Sequence, residues 1–223
     1  MSGRKYRRKK YNAWIGFALF CVRRCTKKRK VEGELPQAPC VYLCRHRDND
    51  GVIGAFTSLR TVLRPWVLHT FTDYQTAKKH LQEYTFSKRL GYGKLFCKLA
   101  SPIVARVLTS LSKSARAIPV YRGETGMRSI TTLKRTVEAL QAGDNILIFP
   151  DVDYANENDQ AGGEVYQGFV AVDRLYYKKC GKRVQFVPVY MTKEKTVVHE
   201  PIEFTGENDA ETLKKIVDGI YKA

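Results

Sequence analysis

Residues 117–150 read AIPVYRGETGMRSITTLKRTVEALQAGDNILIFP, and this stretch decides the fold. Residues 117–121 form a short apolar run that ends at Arg122, as a buried strand would. Ile130, Leu133, Val137 and Leu140 then recur at helical spacing, and Gly143 supplies the stop. Residues 145–149 (Asn-Ile-Leu-Ile-Phe) are a second buried strand, closed by Pro150. Working outward, strands are expected at 41–44 and 66–71 upstream. Downstream they are expected at 184–191, interrupted at Pro188, and at 196–204. Helices are expected over 52–63, 73–90, 95–111, 167–179 and 208–221. Strands alternating with helices predict an α/β domain with a largely parallel central sheet flanked by helices.

Chemistry in such folds gathers beyond the carboxyl ends of the strands. Three polar clusters fall there: residues 46–50, Arg122, and residues 151–156.

The net charge of +17 is concentrated at one end. Residues 1–30 contain twelve lysines and arginines and no acid, an arm that seeks polyanions. Within it, residues 13–22 are apolar and aromatic. As a helix they span ~15 Å, half of a ~30 Å hydrocarbon core, so they do not cross a bilayer. Arg23 and Arg24 follow where a signal peptide would carry small residues. A short helix with Trp14 and Phe17 on it, flanked by Arg23 and Arg24, suits the headgroup region of an anionic membrane. The bland alternative is a solvated tail or a helix packed on the domain. Residues 1–37 are accordingly read as basic arm, interfacial helix and linker, and 38–223 as the folded domain. Helix 95–111, with Lys98, Arg106 and Lys113, is read equally as core packing or as part of the membrane face.

The six cysteines include Cys21-x3-Cys25 and Cys40-x3-Cys44. Cys40, Tyr42 and Cys44 alternate along one face of a strand, which favours buried thiols over a zinc site. With no export signal, a reducing compartment is expected.

His46 directly follows a buried strand, with Asp48 and Asp50 close behind. A carboxylate on one imidazole nitrogen would fix the tautomer and leave the other nitrogen as a general base. A polar loop with Asp48 capping the next helix reads the same residues without chemistry. Asp151-x-Asp153 after an apolar strand reads as a divalent-metal site or as the polar lip of an acceptor site.

The order of these clusters resembles the glycerolipid (lysophosphatidate) acyltransferase family over residues 38–205, in four successive blocks. His46 with Asp50 resembles the histidine and aspartate of the first. Residues 117–123, with Arg122, resemble the second, whose arginine helps hold an acceptor phosphate. Phe149-Pro150-Asp151-Val152-Asp153-Tyr154 stands where the family has Phe-Pro-Glu-Gly-Thr-Arg. Phe186-Val187-Pro188-Val189 matches the fourth, a Val-Pro-Val strand.

There are departures. The family spacing from His46 lands on Gly51, one residue beyond Asp50, with Asp48 the next acid back. Asp151 replaces a glutamate, and Tyr154 stands in place of the second arginine, a role that Arg122, Arg128 or another cation would have to fill.

The resemblance implies an enzyme that moves an acyl group from acyl-CoA or acyl-carrier protein to a lysophospholipid hydroxyl, with no metal or other cofactor. His46 would be the base, Asp50 its orienter with Asp48 as the fallback, and Arg122, Arg128, Pro150 and Asp151 the acceptor site. It further implies work on the cytoplasmic face of a membrane, as a peripheral or monotopic protein and without nucleic acid. Two other classes fit the residues: a metal-dependent glycosyltransferase built on Asp151 and Asp153, and a non-catalytic basic protein binding membrane or nucleic acid through Tyr6, Tyr11, Trp14 and the arm cations.

Overall fold

The computed structural model describes residues 11–47, 50–121, 126–151, 165–207 and 209–223. Among them one seven-stranded sheet forms from β1 (Lys30–Glu32), β2 (Cys40–Cys44), β3 (Leu63–Leu68), β4 (Ile118–Val120), β5 (Asn145–Ile148), β6 (Gln185–Met191) and β7 (Lys195–Val198). The spatial order is β1-β7-β6-β2-β5-β3-β4. β2 to β6 run parallel to one another, β7 is antiparallel to β6, and β1 runs parallel to β7. Residues 30–32, read as part of the arm, thus add the edge strand.

β2 is central and all five of its residues are buried. An uninterrupted apolar run is what a strand covered on both faces requires. Its side chains alternate between two cores. Val41 and Leu43 join Ile146, Ile148 and Phe186 under α5 (Met127–Gln141), α6 (Val170–Cys180) and α7 (Asp209–Tyr221). Cys40, Tyr42 and Cys44 join Leu147, Val187 and Val189 under α2 (Asp50–Ser58). A third cluster joins α3 (Tyr74–His80), the π-helical Leu81–Arg89 and α4 (Lys94–Ser114) through Ala77, Leu81 and Ala105. By length and composition α4 is apolar enough to cross a membrane.

The arm helix is present as α1 (Ala13–Cys25), capped by the Asn12 side chain, which accepts from the Ile15 N–H. It packs on α2 and α4 and buries Ile15. Just before it, the Tyr11 hydroxyl accepts the Leu63 N–H at 2.7 Å and donates to the Leu63 carbonyl at 3.2 Å. Burial pushes that phenol up to about 12.

Gly143 ends α5 with φ 83°, a left-handed turn that glycine adopts without penalty. The strands differ from expectation in three places. The strand expected over 196–204 ends at Val198, as β7. β3 begins at Leu63, and the chain turns into a 3-10 helix at His69–Phe71, where extended structure was expected. β6 runs unbroken through Pro188, whose carbonyl still accepts the His199 N–H at 3.0 Å.

The buried side of α5 also differs: Ile130 is exposed, while Thr132 and Thr136 are buried. Thr132 donates to the Pro119 carbonyl, and Thr136 accepts the Trp66 indole N–H at 2.9 Å. Thr136→Val keeps the shape and strands that indole donor. It should lower unfolding stability by about 1–3 kcal/mol, read from urea melts; an unchanged midpoint would remove the role assigned to this bond.

Candidate active site

β2 and β5 are neighbours in parallel register, Leu43 beside Ile148. Their carboxyl ends therefore deliver Arg45-His46 and Phe149-Pro150-Asp151 to the same edge of the sheet. There the His46 main-chain N–H donates to both Asp151 carboxylate oxygens, at 3.0 Å each. The His46 ring, half-buried, meets Phe149 edge-on with centroids 5.2 Å apart. Arg45 is buried, its guanidinium 4.4 Å from the centre of the Tyr221 ring at the end of α7. Pro150, also buried, accepts the Tyr166 N–H on its carbonyl at 2.7 Å.

Asp151 is only 3% exposed. Burial raises its carboxyl above the ordinary value, and the His46 N–H and the charges of His46 and Arg45 pull it back only in part. Beside it, burial and then the Asp151 charge push the Cys44 thiol up. Cys40 is pushed up to about 12 by burial. Cys97 is buried as well, whereas Cys21 and Cys25 are exposed on α1 and correct the expectation of buried thiols.

Asp50 opens α2, where a negative charge is favoured. Its carboxylate is held by the Arg29 guanidinium at 2.5 Å, and Arg29 Nε donates to the Thr192 carbonyl at 2.8 Å. Gly51 N–H donates to the His46 carbonyl. A Cβ on Gly51 would lie 2.1 Å from the Arg45 carbonyl oxygen and 2.4 Å from that of His46. This backbone therefore has no room for an acid at the family's spacing. Among the described residues, Asp151, contributed by the third block, bonds to His46, and it grips the main chain. Asp48, Arg122 and Asp153 lie outside the described residues.

The same edge continues across β3 and β4. The His69 ring stacks on Tyr121, centroids 4.7 Å apart, and the Arg128 guanidinium lies 5.5 Å from the Tyr121 ring. Arg128 is exposed in the first turn of α5. Sequence reasoning missed His69, Arg45 and Tyr221. His69 carries the same signal as His46, a histidine directly after an apolar strand. Tyr221 carries none, because only tertiary packing brings the end of α7 to β2. Trp14 and Phe17 are exposed on α1, as is Arg24, while Arg23 donates to the Phe56 carbonyl at 3.2 Å. A cleft of about 330 Å³ lined by Tyr11, Asn12, Lys113, Ser114 and Arg116 opens at the opposite, amino end of the sheet and takes no part in this site.

Comparisons with protein-family models, with curated proteins and with solved structures find no match.

The buried Asp151 makes a pH prediction. A carboxyl whose folded pKa is raised binds more protons folded than unfolded, so its contribution to stability is fully present below the unfolded value. It is lost as pH climbs from about 4 through the folded value. The stability of the wild type relative to Asp151→Asn should therefore fall with rising pH across that window. Urea melts of both proteins at a series of pH values measure the difference, and a flat difference contradicts the assignment.

Proposed function

We propose that the chain is an acyltransferase that moves a fatty acyl group from an acyl thioester, acyl-CoA or acyl-carrier protein, to the hydroxyl of a lysophospholipid or related glycerolipid. It works at the cytoplasmic face of a membrane as a peripheral or monotopic protein. One observation carries the reading. His46 and Asp151, 105 residues apart and in the first and third family-like blocks, meet at the carboxyl edge of adjacent parallel strands. The fourth block supports it, since Phe186–Val189 pairs with β2 on its other side.

A thioester is already activated, so the need is for a better nucleophile. His46 takes the acceptor hydroxyl's proton as the oxygen attacks the thioester carbonyl. The tetrahedral oxyanion collapses, the C–S bond breaks, and the departing thiolate takes the proton from the imidazolium. Asp151 acts through the His46 main chain as a positioning residue. Arg122 and Arg128 hold the acceptor's phosphate, Arg128 from the rim beside Tyr121.

The test is thiol release from an acyl thioester in the presence of a panel of lysophospholipids, with the acylated product identified by mass. Release that requires one lysolipid supports the proposal. No product with any acceptor, from a folded protein and both donor types, overturns it.

A further inference from the structure

α4 is built inside out. The side it turns to the protein carries Cys97, Ser101, Ala105 and Thr109 at four-residue intervals, all buried and all small or polar. Ser101 and Thr109 donate their hydroxyls back to the Cys97 and Ala105 carbonyls, so neither leaves a buried polar group unsatisfied. The side it turns outward carries Leu95, Leu99 and Ile103, 73%, 63% and 69% exposed, with Phe96 and Val107. A helix at a water interface shows the reverse pattern. Small residues toward the protein and large ones outward are what a helix meeting hydrocarbon requires.

The outer stripe from 95 to 107 is ~18 Å long. The same helix carries Lys94, Lys98, Arg106 and Lys113, all exposed, and no acid, a charge pattern that complements anionic headgroups. Its buried side runs from Cys97 near the start to Thr109 near the end, against α3 and Leu81–Arg89. Threading a bilayer would strip that contact from the helix. α1, which packs on α4, adds exposed Trp14, Phe17 and Phe20.

We propose that α4 lies lengthwise in one leaflet of an anionic bilayer and does not cross it. Leu95, Phe96, Leu99, Ile103 and Val107 sit among the acyl chains, and Lys94, Lys98, Arg106 and Lys113 sit at the headgroups. This docking surface does not depend on the chemistry at His46.

The test uses the full chain with vesicles of phosphatidylcholine, with and without phosphatidylglycerol, and no acyl donor. The wild type should float with the anionic vesicles, and the double variant Leu99→Glu, Ile103→Glu should bind at least tenfold more weakly with an unchanged thermal transition. If that variant loses its transition, the milder pair Leu99→Gln, Ile103→Gln is used. Geometry is read from Leu95→Trp and Val107→Trp, each on a Trp14→Phe background, with lipids brominated at successive depths. Both reporters should quench best at one shared depth. Vesicle binding equal to wild type in the folded glutamate or glutamine variants overturns the proposal. So does a pair of reporters at clearly different depths, which means crossing. A wild type that ignores vesicles but forms a dimer abolished by the double variant assigns the face to a second copy. A wild type that prefers RNA to anionic vesicles at matched salt likewise overturns it.

Discussion

His46→Ala is expected to lower acyl transfer by about 10²–10⁴-fold, the usual contribution of a positioned general base. This corresponds to about 3–5 kcal/mol of barrier. The loss should fall on kcat at saturating lysolipid, because in the proposed mechanism the imidazole acts on a bound hydroxyl and Arg122 and Arg128 would supply the acceptor binding. The variant should also stay folded. Asp151 bonds to the main-chain N–H of residue 46, which alanine retains. Thiol release and a thermal melt on the same preparation separate the two effects. Turnover within threefold of wild type would remove His46 from the mechanism.

Gly51→Ala should be among the most damaging single changes in the chain, about 3 kcal/mol or more in unfolding stability. The added Cβ meets two backbone carbonyl oxygens at 2.1 and 2.4 Å, so the turn between β2 and α2 has to move, and no side-chain rotation relieves it. Gly51→Asp, which would place an acid at the family's spacing from His46, should be worse. It should lose activity through lost structure and gain none from the carboxylate. Urea melts and thiol release on both variants test this. A well-folded, more active Gly51→Asp protein would mean that the first block has the family's geometry after all.

The two histidine-to-acid relations show how differently sequence and tertiary structure contribute. Asp50 lies four residues from His46, so proximity in the chain made it the natural orienter, yet its carboxylate is held by Arg29, twenty-one residues back. Asp151 is remote in sequence and reaches His46 because β2 and β5 pair in parallel register. Spacing alone did not distinguish these roles, since strand order is set by which faces pack. α4 shows the same limit. Its apolar content and length were legible, but which side faces the protein was not; Cys97, Ser101, Ala105 and Thr109 form that side.

What the chain determined by itself was local: the apolar runs of β2 and β5, the helical repeat of α5 with its glycine stop, and the polar clusters that follow the strands. These follow from hydrophobic periodicity and backbone preference, which act over a few residues. Tertiary structure alone decided the β6-β2-β5 neighbourhood, the Asp151 grip on His46, Arg45 over Tyr221, and the outward face of α4. Each of those depends on burying surface between segments distant in the chain, and no short-range pattern records which distant segments will meet.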